Sequence, residues 1–202
     1  MRRVVKIGGS LLKSPGLPSR LSQVQDLDSS ANTLVIIGGG DLVNAVREID
    51  QVANLDATET HWLCVDLLTQ TFNIMKHQID WPVIETVEDL LQWIEHPPSP
   101  ATTTLVRVDT FYHRPSARET AKIQKPINAD DWVRLPHNWE TTTDSIAALL
   151  AKIVGAEELI LLKSCSVPSQ DTPAALAEKG IVDQAFPDAS EGIPHVTVRK
   201  LA

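Results

Sequence analysis

Arg3-Val4-Val5-Lys6-Ile7-Gly8-Gly9-Ser10 and Thr33-Leu34-Val35-Ile36-Ile37-Gly38-Gly39-Gly40-Asp41 are the two stretches from which the fold can be read. Each is a short run of aliphatic, mostly β-branched residues without polar alternation, the pattern of a strand covered on both faces. Each breaks at glycines, after which helical periodicity takes over, so the repeating unit is strand, tight turn, helix. Repetition of that unit builds a parallel sheet between helices. Thr103 to Val108 and Glu158 to Leu162 supply two further runs, and Trp81 to Ile84 and Ile193 to Val198 two shorter ones, the last expected at a sheet edge. The predicted fold class is α/β, a three-layer α/β/α sandwich with a mainly parallel sheet.

The intervening segments carry helix signals. Leu21, Val24 and Leu27 share one side of a short helix after the Pro15, Gly16, Pro18 punctuation. A helix opening near Asp41 places Leu42, Val43, Val46, Ile49 and Val52 at the spacing of a buried stripe. Asp56 and Glu59 form an acidic capping box for a longer helix through Trp62, Leu63, Leu67, Leu68 and Met75. Thr86 caps Val87 to Glu95, and Pro97-Pro98 stops that helix because proline lacks the amide donor. Thr143 or Asp144 is expected to cap a strongly apolar helix from Ile146 to Val154, which Gly155 ends. Thr172-Pro173 opens a helix to Lys179, closed by Gly180. Between Asp109 and Glu140 the regularity lapses, as it does in a functional loop or lid.

A chain of 202 residues suits one domain, taken as residues 1–202. With 43% hydrophobic and 22% charged residues, collagen-like, disordered and coiled-coil classes fall away. A net charge of -8 argues against nucleic acid as a partner, yet leaves room for a local cationic pocket that takes a small anion. Apolar runs stay short of the ~18 residues of a membrane span. Met1 to Ile7 enters a strand pattern rather than a signal-peptide core, so a soluble, cytoplasmic protein without a membrane partner is expected. Cys64 and Cys165 lack CxxC or Cys/His spacing, which predicts neither a disulfide framework nor a protein-held metal.

Chemistry concentrates at the strand ends. Phosphoryl oxygens need several N–H donors converging on a small volume, and glycines permit that approach; Lys6 adds positive charge beside Gly8, Gly9 and Ser10. Gly38, Gly39, Gly40 and Asp41 repeat the arrangement after the second run, so two such loops can face one site. Neither is a Walker A or GxGxxG sequence, and taken singly each reads equally well as a tight turn. Arg47 and His61 are candidates for contact with an acceptor, against the plainer readings of a solvated arginine and an exposed histidine beside a core Trp62. His113, Arg114 and Arg118 could close over phosphates or be solvated loop charges. Trp132, His137 and Trp139 suit either an acceptor pocket or a contact between copies of the chain in a homo-oligomer.

Taken in order, Lys6-Ile7-Gly8-Gly9-Ser10, Gly38-Gly39-Gly40-Asp41, Thr143-Asp144-Ser145 with its Ala-rich helix, and Gly155-Ala156-Glu157-Glu158-Leu159-Ile160-Leu161-Leu162-Lys163 resemble the amino acid kinase superfamily over most of the chain. The resemblance implies a phosphotransferase using ATP with Mg2+ and a small anionic substrate. It implies that Lys6 contacts the transferring phosphoryl group and that Gly8, Gly9 and Ser10 surround the nucleotide phosphates. Lys163 adds charge there, Asp144 holds the cationic groups in position, and Gly38 to Gly40 line the acceptor side. Phosphoryl transfer asks for such positioning and charge stabilisation more than for covalent chemistry. After Lys163 the chain reads Ser164-Cys165-Ser166-Val167-Pro168, where many members have a Val-Asp-Gly-like turn, so a catalytically silent member binding nucleotide, oxyanion or a protein partner is the competing reading. Leu135 to Glu140 leading into Thr142 to Ala147, with Gly180-Ile181-Val182-Asp183 and Phe186-Pro187, is similar to the small kinases of methanofuran biosynthesis, which convert an aminomethylfuran phosphate to the diphosphate. Asp183 is a site residue by that resemblance and a simple turn acid by its local sequence.

Overall fold

Side chains alternate across a strand, and in the central strands of this protein both alternations are apolar. Val4, Leu34, Ile36, Leu159 and Leu161 enter one apolar cluster. Val5, Ile7, Val35, Ile37, Ile160 and Leu162 enter another on the opposite face. The absence of polar alternation in the sequence is thus the direct image of a two-sided sheet. The computed structural model describes residues 1–24, 27, 30–114, 134–168 and 171–201; Arg118, Trp132 and most of the expected loop or lid lie outside the described residues.

Six strands, β1 (Arg2–Ile7), β2 (Asn32–Ile37), β3 (Val83–Ile84), β4 (Thr103–Val106), β5 (Glu158–Lys163) and β6 (His195–Lys200), pair in the order β3-β4-β2-β1-β5-β6. Every neighbouring pair is parallel. From β1 the chain first builds outward through β2, β4 and β3, then returns to add β5 and β6 on the other side of β1. Such a reversal of direction opens a crevice at the carboxyl ends of the strands, where the two glycine loops lie.

Among the described residues the helices are α1 (Leu17–Leu21), α2 (Gly40–Ala53), α3 (Ala57–Lys76), α4 (Val87–Glu95), α5 (Thr143–Val154), α6 (Pro173–Glu178) and α7 (Phe186–Ser190). A 3-10 turn, Gly9–Lys13, follows β1, and another, Val108–Thr110, follows β4. Leu90 and Trp93 of α4, the apolar residues of α5, Leu176 of α6 and Phe186 of α7 cover one face of the sheet. Leu11, Leu17 and Leu21 cover the other. Helix α3 contributes to both clusters, with Trp62, Val65 and Leu68 in the first and Phe72 and Met75 in the second.

Most local signals act as expected. The Asp56 carboxylate accepts from Glu59 N at 2.9 Å and Thr86 Oγ1 from Asp89 N at 3.1 Å, each satisfying an amide that a helix N-terminus leaves without an intrahelical partner. Gly155 takes the left-handed conformation, φ 61°, that ends α5. Other expectations fail. Helix α1 ends at Leu21, so Val24 and Leu27 follow it rather than share its side. None of α2 is buried: Ile49 is 57% and Val52 84% exposed, because α2 packs against α3 and the first 3-10 turn rather than directly on the sheet. Neither Thr143 nor Asp144 caps α5; the helix begins at Thr143 with Thr142 at the N-cap, and the capping carboxylate comes from Asp183, remote in sequence.

Candidate functional site

The two glycine loops meet backbone to backbone. Gly8 N donates to Leu162 O at 2.8 Å and Gly38 N to Ile7 O at 2.9 Å, which extends the ladders just past the ends of β5, β1 and β2. A Cβ on Gly9 would collide with Gly40 N and lie 2.5 Å from Gly38 O, so a side chain there would force the loops apart. Gly40, at φ 56°, faces the same contact from the other side. The glycines therefore do more than turn the chain; they let the two loops share one rim.

Beneath that rim lies a buried charge triad. Asp144, in the first turn of α5, accepts from Lys6 Nζ at 2.7 Å on Oδ1 and from Lys163 Nζ at 2.6 Å on Oδ2. The lysines come from the ends of neighbouring strands β1 and β5. Burial opposes the charge on Asp144, but Lys6 and Lys163, by field and hydrogen bond, hold its carboxyl below the ordinary range. Burial and repulsion from Lys6 lower the Lys163 ammonium, while Asp144 and Asp183 act against that shift. Asp144 sits between two ammonium groups, so the triad by itself carries one more positive than negative charge.

A cavity of about 250 Å³ opens beside the triad, lined by Lys6, Gly9, Ser10 and Gly38 to Gly40 on the loop side. The lining also includes Arg47, whose guanidinium lies 4.5 Å from the centroid of the Trp139 ring. Trp139 Nε1 in turn donates to Asp50 at 2.7 Å, tying the loop before α5 to α2. His61 also lines the cavity and is buried at 5% exposure, contrary to the expected exposed histidine. Its Nε2 is 2.9 Å from the Tyr112 hydroxyl, and its ring stacks on His137. Burial, with a smaller contribution from His137, lowers the His61 pKa to about 4 against an opposing hydrogen bond with the Asn138 backbone, so the ring is neutral near pH 7. Burial pushes the neighbouring Cys64 thiol up to about 11, which keeps it protonated and unreactive.

The sequence candidates thus divide. Lys6, Gly9, Ser10, Gly38, Gly39, Gly40, Arg47 and His61 share one cavity, with Asp144 and Lys163 bonded behind Lys6 and Gly8 at the root of the first loop. Asp41 pairs with Lys13 at 2.7 Å on the exposed surface, outside this lining. Arg114 pairs with Glu59 of α3 at 2.9 Å. Ser10 Oγ and Ser164 Oγ are 2.8 Å apart, joining the first loop to the unusual turn after Lys163. Sequence reasoning missed Tyr112 and the capping role of Asp183, since a hydrogen bond between distant segments has no local pattern to reveal it.

Parallel strands, paired glycine loops at their carboxyl ends and buried lysines define an α/β protein with a candidate anion site at the carboxyl edge of its sheet. The model of the amino acid kinase family matches residues 1–167, and the chain belongs to that family. It is similar to the [5-(aminomethyl)furan-3-yl]methyl phosphate kinase of Methanocaldococcus jannaschii, at 24% identity over 164 residues, 78% of this chain and 63% of the relative, so the match spans less than two thirds of the relative's length. Among solved structures, the UMP kinase of Ureaplasma parvum superposes with a TM-score of 0.62 at 14% identity, covering 100% of this chain and 90% of that one. The uridylate kinase of Archaeoglobus fulgidus gives 0.60 at 15% identity with the same coverage. These likenesses show the amino acid kinase fold.

Proposed function

We propose that this chain is an ATP-dependent kinase that moves the γ-phosphoryl group of MgATP directly to a small anionic acceptor, the best candidate being an aminomethylfuran phosphate that becomes the diphosphate. The observation that carries this reading is the Asp144-bridged pair Lys6 and Lys163 beside two glycine loops in backbone contact, next to a cavity that Lys6 and Arg47 both line. The donor set fits a nucleoside triphosphate: two ammonium groups, the Gly9 and Ser10 backbone and, among the described residues, no free carboxylate in the cavity lining, since Asp144 is occupied by its lysines. When bound, MgATP supplies the phosphoryl group and the charge of its metal. Lys6 and Lys163 would hold phosphoryl oxygens and stabilise the charge that grows on them, and Asp144 keeps both ammonium groups in place. Gly38 to Gly40 and Arg47 would hold the acceptor phosphate. Two anions approach only where cations screen them, and Lys6 and Arg47 provide that screening on an acidic protein.

The similarity to the furan-phosphate kinase supports the acceptor class. Aliphatic side chains of Val43, Val65 and Leu68 beside the polar groups suit a small ring bearing an anionic arm. Purified protein incubated with MgATP and [5-(aminomethyl)furan-3-yl]methyl phosphate should yield ADP and the diphosphate by mass spectrometry. Phosphorylation of UMP or an amino-acid carboxylate, without turnover of the furan phosphate, would overturn the acceptor. Absence of nucleotide affinity at millimolar concentration in calorimetry would overturn the kinase reading in favour of a silent binding module.

A further inference from the structure

Asp144 stands where an acidic side chain ordinarily does something else. In the first turn of a helix a carboxylate is drawn toward the free backbone amides at the N-terminus, which it can cap itself. Here both of its oxygens are committed to lysines from β1 and β5. The N-cap residue, Thr142, supplies no side-chain cap either. The need is met by Asp183, from the turn between α6 and α7, which is 9% exposed. Its Oδ2 accepts from Thr142 N at 2.9 Å, Thr142 Oγ1 at 2.7 Å and Ser145 N at 3.1 Å, and its Oδ1 accepts from the Ser145 hydroxyl.

These four bonds bracket Asp144. Thr142 precedes it by two residues and Ser145 follows it by one, so the backbone on each side is tied to the same carboxylate. Thr142 also lines the cavity. We propose that Asp183 is a positioning residue for phosphoryl transfer, a carboxylate that caps α5 from outside the helix so that Asp144 remains free to hold Lys6 and Lys163. The proposal rests on the kinase reading for its effect on rate, but not for its effect on the lysines. Burial and the charge of Asp144 raise the Asp183 carboxyl, while its bonds to Ser145 and Thr142 act the other way. The two neighbouring carboxylates thus have different partners, Asp144 the ammonium groups and Asp183 the helix N-terminus.

The test is Asp183→Asn in the full chain. Asparagine is itself a good N-cap residue, so a role confined to helix stability predicts little change in turnover. It cannot, however, accept on both sides as the carboxylate does, because an amide NH2, a donor, replaces one of the two oxygens. The expected result is a kcat at least about tenfold lower, with the KM of the furan phosphate within about twofold and the thermal transition largely kept. A folded Asp183→Asn variant with kcat within twofold of the parent would overturn the proposal. Should that variant fail to fold, Ser145→Ala removes a single donor and should lower kcat in the same sense; unchanged kcat there is equally fatal. NMR titration of the lysine ammonium groups, assigned with Lys163→Arg, separates this idea from the kinase reading. Loss of the Asp183 charge should make Lys163 titrate at lower pH even if the protein transfers no phosphate. Unaltered lysine titration would refute the positioning role whatever the activity.

Discussion

Helices α2 and α5 both begin at the rim of the same cavity, both carry apolar residues at helical spacing, and they end in opposite environments. In α5 the run Thr143 to Ala151 is buried without interruption, pressed against the sheet with its N-terminus capped by a distant carboxylate. In α2 no residue is buried, and Leu42, Ile49 and Val52 are exposed, while the side bearing Val43, Asn44 and Arg47 lines the cavity. The difference teaches that periodicity reports which residues share a side of a helix, whereas burial depends on what that side meets. An apolar stripe is buried only if a partner reaches it, and α3, which contacts β2 and β4, stands between α2 and the sheet.

The comparison breaks first at Asp144. Asp144→Asn should lower turnover at least about a hundredfold, because the lysines lose the group that holds them in place as charge develops. Steady-state kinetics on protein with a native circular dichroism spectrum checks this, and parental rates would show that α5 contributes packing alone. Next, overfilling α5 tests how tightly it is seated. Ala148 has no exposed surface, so Ala148→Leu should destabilise the fold by about 1–3 kcal/mol in urea unfolding.

A pH-dependent effect belongs to His61 on α3, which lines the same cavity. Its pKa is lowered from 6.5 to about 4, chiefly by burial. The unfolded chain therefore takes up a proton that the folded one refuses between those values. Stability is full above pH 6.5, falls at about 1.4 kcal/mol per pH unit on the way down, and levels off below the folded pKa. Denaturant midpoints of the parent compared with His61→Gln should show this slope only in the parent. Asp144 has the corresponding carboxylate sign: its pKa is depressed, so its stabilisation is present above the unfolded value and is lost as pH falls through the folded one. Least of all should Val52→Ser on α2 matter. At 84% exposure it should change stability by no more than about 0.5 kcal/mol, and a loss several times larger would mean that its face is covered in solution.

Much of the candidate site could be read before folding because its motifs are local. Lys6 precedes its glycines within one strand and turn, and Gly38 to Gly40 do the same for the second loop. What could not be read are the couplings between segments. Lys163 and Lys6 meet one carboxylate because β5 pairs with β1, an adjacency that a strand's own composition does not encode. Asp41 looked like part of the glycine loop but turned to Lys13, which the 3-10 turn after β1 brings alongside. His61 looked exposed beside Trp62, yet Tyr112 and His137 close over it from other segments.

The residue order by itself determined that this protein has buried parallel strands ending in glycine loops, because two-sided burial demands unbroken apolar runs and close backbone approach demands glycine. It determined the helix ends at Asp56, Thr86 and Gly155 for the same reason, since a cap acts within a few bonds of the amide or carbonyl it satisfies. Tertiary structure alone decided the strand order, the exposure of α2, the burial of His61 and the bracket that Asp183 places around Asp144. Those are contacts between residues far apart in the chain, made by side-chain directions and distances that exist only once the sheet has formed.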